Sequence, residues 1–134
     1  MTNQANTPAR AALIAHAQEK IEDAQRALDK WAADFAKDPI HALKWAERAY
    51  EAAAELRVYS VAMEFLNSDS ADDVVAQGLI DHAQQTVYSG VNSGRSTSAC
   101  SNESDRQETA VWSKIAMTSG WGMGSRLAKM AAGE

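Results

Sequence analysis

The side chains able to do chemistry are few and scattered. The three histidines, His16, His41 and His82, fall on three separate stretches of helical pattern. No H-x-x-x-H pair is present to hold a metal on one helix face. No E-x-x-H is present either, and a di-iron helical bundle needs two. His16 and Glu19 lie three apart on one face, a fragment of such a set. These histidines read as structural, and neither a metal nor a cofactor is expected. The single cysteine, Cys100, lies in a Ser-rich stretch. With His82 as its base it could serve as a nucleophile. A nucleophile needs a rigid mount, however, and the residues around Cys100 supply none. The expectation is a protein without catalytic residues.

Gly120-Trp121-Gly122-Met123-Gly124-Ser125 is the one glycine-rich segment. A dinucleotide fingerprint must follow a strand and enter a helix within a βαβ unit, and no strand pattern precedes this segment. Its end does open a short helix at Ser125, with Arg126 and Lys129 on it. A helix N-terminus beside basic side chains can take an anion. One reading is therefore a small anionic, nucleotide-like ligand held by Arg95, Arg106, Ser125 and Arg126 under a polar loop. The other reading concerns the bulky residues. Trp121 and Met123 alternate with glycines, so they either dock on the core or form an apolar surface patch. Together with Trp112 they are the residues expected to bind a partner, because Trp and Met are enriched at interface cores.

The elements that would position these groups are helical. Thr7-Pro8 is an N-cap followed by a proline at the first helical position. From there Ile14, Ala17, Ile21, Ala24, Leu28, Trp31 and Phe35 recur at alternating steps of 3 and 4. That is the seam of a helix lying along a neighbour. The predicted helix spans about 8–37, roughly 45 Å at 1.5 Å per residue. Asp38-Pro39 repeats the opening device, so a second helix, about 39–67, folds back on the first. Its main stripe is Ala42, Trp45, Ala49, Ala52, Leu56, Tyr59, Met63 and Leu66. A second stripe holds Leu43, Ala46, Tyr50 and Ala53, and Val61, Ala62 and Phe65 add further apolar faces. The C-terminal half of this helix should lie at the centre of the fold. Trp31 and Trp45 both fall on seam positions near one end of the hairpin.

Ser70 is placed to cap a third helix, about 71–88, which buries Val75, Leu79, Ala83 and Val87 with Val74 and Ile80 beside them. Residues 89–104 are dominated by Ser, Thr and Asn and read as a loop. Ser104 with Gln107 suggests a capping box for a fourth helix, about 105–119. A short helix from Ser125 ends the chain. The predicted fold is all-α: a single domain over residues 1–134, a helical bundle built on a long antiparallel hairpin. Two shorter helices and a short C-terminal helix complete it. Residues 1–7 are expected to fray.

Composition bounds the rest. With 134 residues, 46% of them hydrophobic, the chain can bury a core without staples. One cysteine allows no internal disulfide. No basic, apolar leader opens the chain, and no apolar run is long enough for a membrane span. A cytoplasmic protein without membrane attachment is expected. The formal net charge is −5. Residues 1–67 carry 8 Lys+Arg against 10 Asp+Glu, and residues 68–134 carry 5 against 8. Neither half has the basic footprint of a nucleic-acid binder, so no direct nucleic-acid contact is expected. The long hairpin has more apolar length than the short helices can cover, which points to a homodimer. Together these features suggest a non-enzymatic module that binds a protein partner and regulates or inhibits it. By analogy of type, small acidic helical inhibitors of phages and mobile elements are proteins of this kind.

Overall fold

The computed structural model describes residues 7–96, 103–117 and 122–132. The described residues form six helices and no strand: α1 (Pro8–Lys37), α2 (Pro39–Leu43), α3 (Ala46–Leu66), α4 (Asp72–Ser96), α5 (Glu103–Ala116) and α6 (Met123–Ala131). The all-α expectation is met, with the long helix pair as its frame.

The start of α1 is as its sequence dictates. The Thr7 hydroxyl accepts from the Arg10 N–H at 3.3 Å, and Pro8 occupies the first position. At the other end Asp38 closes α1 and opens α2, its carboxylate accepting from the His41 N–H at 3.2 Å. The chain reverses there, and α3 lies antiparallel along α1. His16 meets Tyr59 and Trp31 meets Ala42, so facing residues keep a nearly constant sum of numbers along the pair.

One body of packed side chains holds the fold. It combines Leu13 and Ala17 of α1 with Ala54, Val58, Tyr59, Ala62 and Leu66 of α3. To these it adds Val75, Ala76, Leu79, Ile80 and Ala83 of α4, Val111, Trp112 and Ile115 of α5, and Met123, Leu127 and Met130 of α6. The C-terminal half of α3 is indeed central, with buried residues on more than one face. On α1 the buried line runs through Arg10, Leu13, Ala17 and Ala24. Ile14 and Ile21 pack at its margin.

Several boundaries differ from the sequence reading. The second predicted helix breaks at Lys44-Trp45, where N–H groups bond three residues back. The Ala42 carbonyl takes the Trp45 N–H at 3.0 Å and the Trp31 indole N–H at 2.9 Å. A neighbour's donor inserted into the helical ladder is an ordinary cause of such a break. The break shifts the helical phase, so Trp45 leaves the seam and is 51% exposed. Ser70 does not cap α4, which starts at Asp72; its carbonyl accepts from Arg10 instead. Residues 89–96, expected in a loop, continue α4 to Ser96, and residues 103–104 belong to α5. Extending an existing helix costs only fractions of a kcal/mol for residues such as Ser and Asn. The fourth helix ends at Ala116 and the last begins at Met123, not Ser125.

Candidate interaction surface

The body ends part-way along the hairpin. Its last contributors toward the turn are Ile21 on α1 and Ala54 on α3. Residues 22–53 form an arm of two helices and the short α2, reaching about 24 Å beyond the body at 1.5 Å per residue. Its buried residues are Ala24, Ala42 and Ala52. Small side chains let the helices approach closely, but they make little core. The Trp31 indole closes the arm by its bond to Ala42, with its ring 5.2 Å from that of Phe35.

Large apolar side chains lie open at the arm's tip. Phe35 is 39% exposed, Ile40 76%, Leu43 57%, Trp45 51% and Tyr50 45%. These are five of the seven exposed large hydrophobic residues among the described ones; the others, Val74 and Met117, stand apart. The Arg48 guanidinium lies 5.7 Å from the Trp45 ring centroid. Lys37, His41 and Lys44 are exposed on the same stretch. The tip is thus apolar and mildly cationic on an acidic chain. Phe35, Leu43, Trp45 and Tyr50 were legible in the sequence as seam or stripe positions; Ile40 was not. The pattern showed more apolar length than the shorter helices could cover, but not which part of the hairpin would be left bare.

Trp112 and Met123, two of the residues expected to bind a partner, lie elsewhere. Trp112 is 4% exposed and Met123 3%, so both are core side chains and present no patch. Trp112 packs edge-on to His82 at 4.7 Å between ring centroids, and His82 also meets Phe65 at 5.7 Å. Met123 is buried because α6 begins there and turns its Met123, Leu127 and Met130 face inward. Trp121 lies outside the described residues. So does Cys100, and His82 is held in an aromatic stack.

The glycine segment has a structural reason at two positions. Gly122 has φ +142°, which side chains rarely adopt. Gly124 leaves no room for a Cβ against the Met117 carbonyl, so it sets how closely α6 approaches the end of α5. Ser125 is the third residue of α6 and half-buried. The arginines of the ligand reading are carried by three different helices. Arg106 lies at the start of α5, while Arg126 lies where α6 meets the end of α5. Arg95 is in the last turn of α4.

Two charged clusters were not foreseen. The Arg10 side chain is fully buried and pairs with Asp72 at 2.8 Å. It donates to the Ser68 and Ser70 carbonyls at 2.9 and 2.6 Å, and the Thr7 hydroxyl donates to the same Asp72 carboxylate. This network fastens the start of α1 to the α3–α4 turn. The second cluster surrounds His16, whose ring lies 5.9 Å from that of Tyr59. Burial, with Arg126 and Lys20 nearby, holds the imidazole below its ordinary pKa; Glu19 opposes them. Burial, then Glu55, pushes the Tyr59 phenol up.

Comparison of the chain with protein-family models, curated proteins and solved structures gives no match. Among the described residues, no group of three or more His, Cys, Asp or Glu could hold a metal ion. Among the same residues no buried side-chain nitrogen or oxygen lacks a hydrogen-bond partner, and no helix is long and apolar enough to cross a membrane.

Proposed function

We propose that the protein is a non-enzymatic helical interaction module that docks the tip of its arm on a protein partner and so regulates or blocks that partner. The observation that carries this reading is the gathering of Phe35, Ile40, Leu43, Trp45 and Tyr50, all exposed, within residues 35–50. Clustered exposed apolar side chains mark interaction surfaces, and buried aromatic anchors dominate interface energies. On this reading the acidic helical body serves as the support for the tip. On this reading the protein works in the cytoplasm, where a lone thiol suits a reducing environment.

Native mass spectrometry of the protein captured from its host's lysate tests the reading. The wild-type chain should carry a second, heavier protein. The variant Leu43→Glu/Trp45→Glu should lose it while keeping its helical circular dichroism and melting temperature, because both side chains are already exposed. Equal capture by the double variant would remove the tip from this role.

A further inference from the structure

The arm is short of core, open at its tip and unevenly charged. Residues 30–50, its outer part, carry 4 Lys+Arg and 3 Asp+Glu. The flanking stretches 17–29 and 51–64, its base together with the adjoining part of the body, carry 3 Lys+Arg and 7 Asp+Glu. One of those cations, Arg57, is already paired with Glu108 at 3.2 Å. The outer part is therefore slightly positive and apolar, and the base is strongly negative.

We infer that the partner surface fitted by this arm includes the arm of a second copy of the chain, laid alongside it antiparallel about a two-fold axis. The inference rests on the docking role given to the tip above and names an occupant for it. Antiparallel pairing sets each cationic, apolar tip against the acidic base of the other arm. Parallel pairing would set the two acidic bases together, and like charges brought face to face disfavour a complex. A two-fold contact is self-complementary, as this charge division requires. Two helical hairpins side by side make a four-helix bundle. Such a bundle would give the arm, whose own buried residues are three alanines, the layer of large side chains it lacks. Self-association and capture of another protein then compete for one tip.

Light scattering and native mass spectrometry on the full chain at tens of micromolar should show a dimer that weakens as salt screens the charges. Leu43→Glu should weaken it by about 100-fold or more, as expected for an interface anchor. Ile40→Glu, at a position 76% exposed, should do the same with no demand on folding. Reversing charge at the tip alone (Lys37→Glu/Lys44→Glu) should abolish the dimer, and so should reversal at the base alone (Glu22→Lys/Glu51→Lys). All four side chains are exposed. Combining the four substitutions in one chain should restore the dimer, because each tip again faces an opposite base. That restoration is specific to the antiparallel arrangement.

A wild-type chain that stays monomeric at these concentrations overturns the inference, while tip-dependent capture of another protein would still stand. A dimer indifferent to both Leu43→Glu and Ile40→Glu overturns it too. A folded quadruple variant that fails to dimerise overturns the antiparallel pairing. A tip-dependent dimer that captures nothing else would support this inference and remove the regulatory reading instead.

Discussion

The body and the arm use the same two helices for different ends. In the body, α1 and α3 are covered by α4, α5 and α6, and large side chains such as Leu13, Leu66, Leu79, Ile115 and Leu127 are fully buried. In the arm the same helices continue alone, bury alanines, and leave Phe35, Leu43 and Trp45 in water. Apolar residues recur at helical spacing in both. What separates them is the presence of a third layer, so an amphipathic stripe tells which face is apolar and not whether anything covers it.

The contrast can be broken most forcefully at the body's anchors. Arg10→Ala removes a buried guanidinium from Asp72 and two carbonyls. It should cost about 3 kcal/mol, toward the lower end for a buried pair because Asp72 is partly exposed. Leu79→Ala should cost a similar amount, about 3 kcal/mol, whereas Leu43→Ala in the arm should change stability by no more than about 0.5 kcal/mol. Urea unfolding of the three variants checks this, and comparable losses at Leu79 and Leu43 would erase the distinction between body and arm.

The next effect is at the junction of α5 and α6. Gly124→Ala places a methyl group against the Met117 carbonyl and should cost about 2 kcal/mol as the two helices shift apart. Thermal melts that match wild type would mean that α6 does not approach this closely. Within the arm, Trp31→Phe keeps an aromatic ring and deletes the indole donor to Ala42. About 1 kcal/mol should be lost, and hydrogen exchange should show the extra opening confined to residues 31–46. Protection lost equally in α4 would show that arm and body unfold as one unit.

The smallest effect is the pH response of His16. Its pKa in the folded chain is lowered, mainly by burial and then by Arg126 and Lys20. The unfolded chain therefore binds the proton more readily. The stabilisation from keeping this imidazole neutral is complete above its ordinary pKa, near 6.5. It declines as pH falls from there toward the lowered value. The melting temperature of wild type should drop more between pH 7 and pH 5 than that of His16→Gln. A steeper drop in the variant would reverse the assigned sign.

Much of the hairpin was legible because its signals are local. Thr7-Pro8 and Asp38-Pro39 satisfy helix ends with their own side chains and fixed φ, whatever surrounds them. The stripe on the second half of α3 follows from 3.6 residues per turn, whereas on α1 the buried line runs through Leu13, where the pattern marked Ile14. The tip was only half legible: Trp45 and Leu43 were marked as apolar positions, but the break at Lys44-Trp45 depends on a donor from α1 reaching the Ala42 carbonyl. Arg10 gave no signal, since an arginine near a helix start usually faces water and its partners lie about 60 residues away. Trp112 and Met123 were marked for surface roles by residue type, and type does not report burial.

The sequence by itself determined that the chain is helical, where the long hairpin turns, and which faces are apolar, because caps, prolines and periodicity act over a few residues. The tertiary structure alone decided which of those faces are covered. It buried Trp112 and Met123 and closed Arg10 over Asp72. It also left the arm's tip bare, because coverage depends on which distant helices come to rest against a face, and no residue pattern on the face itself records that.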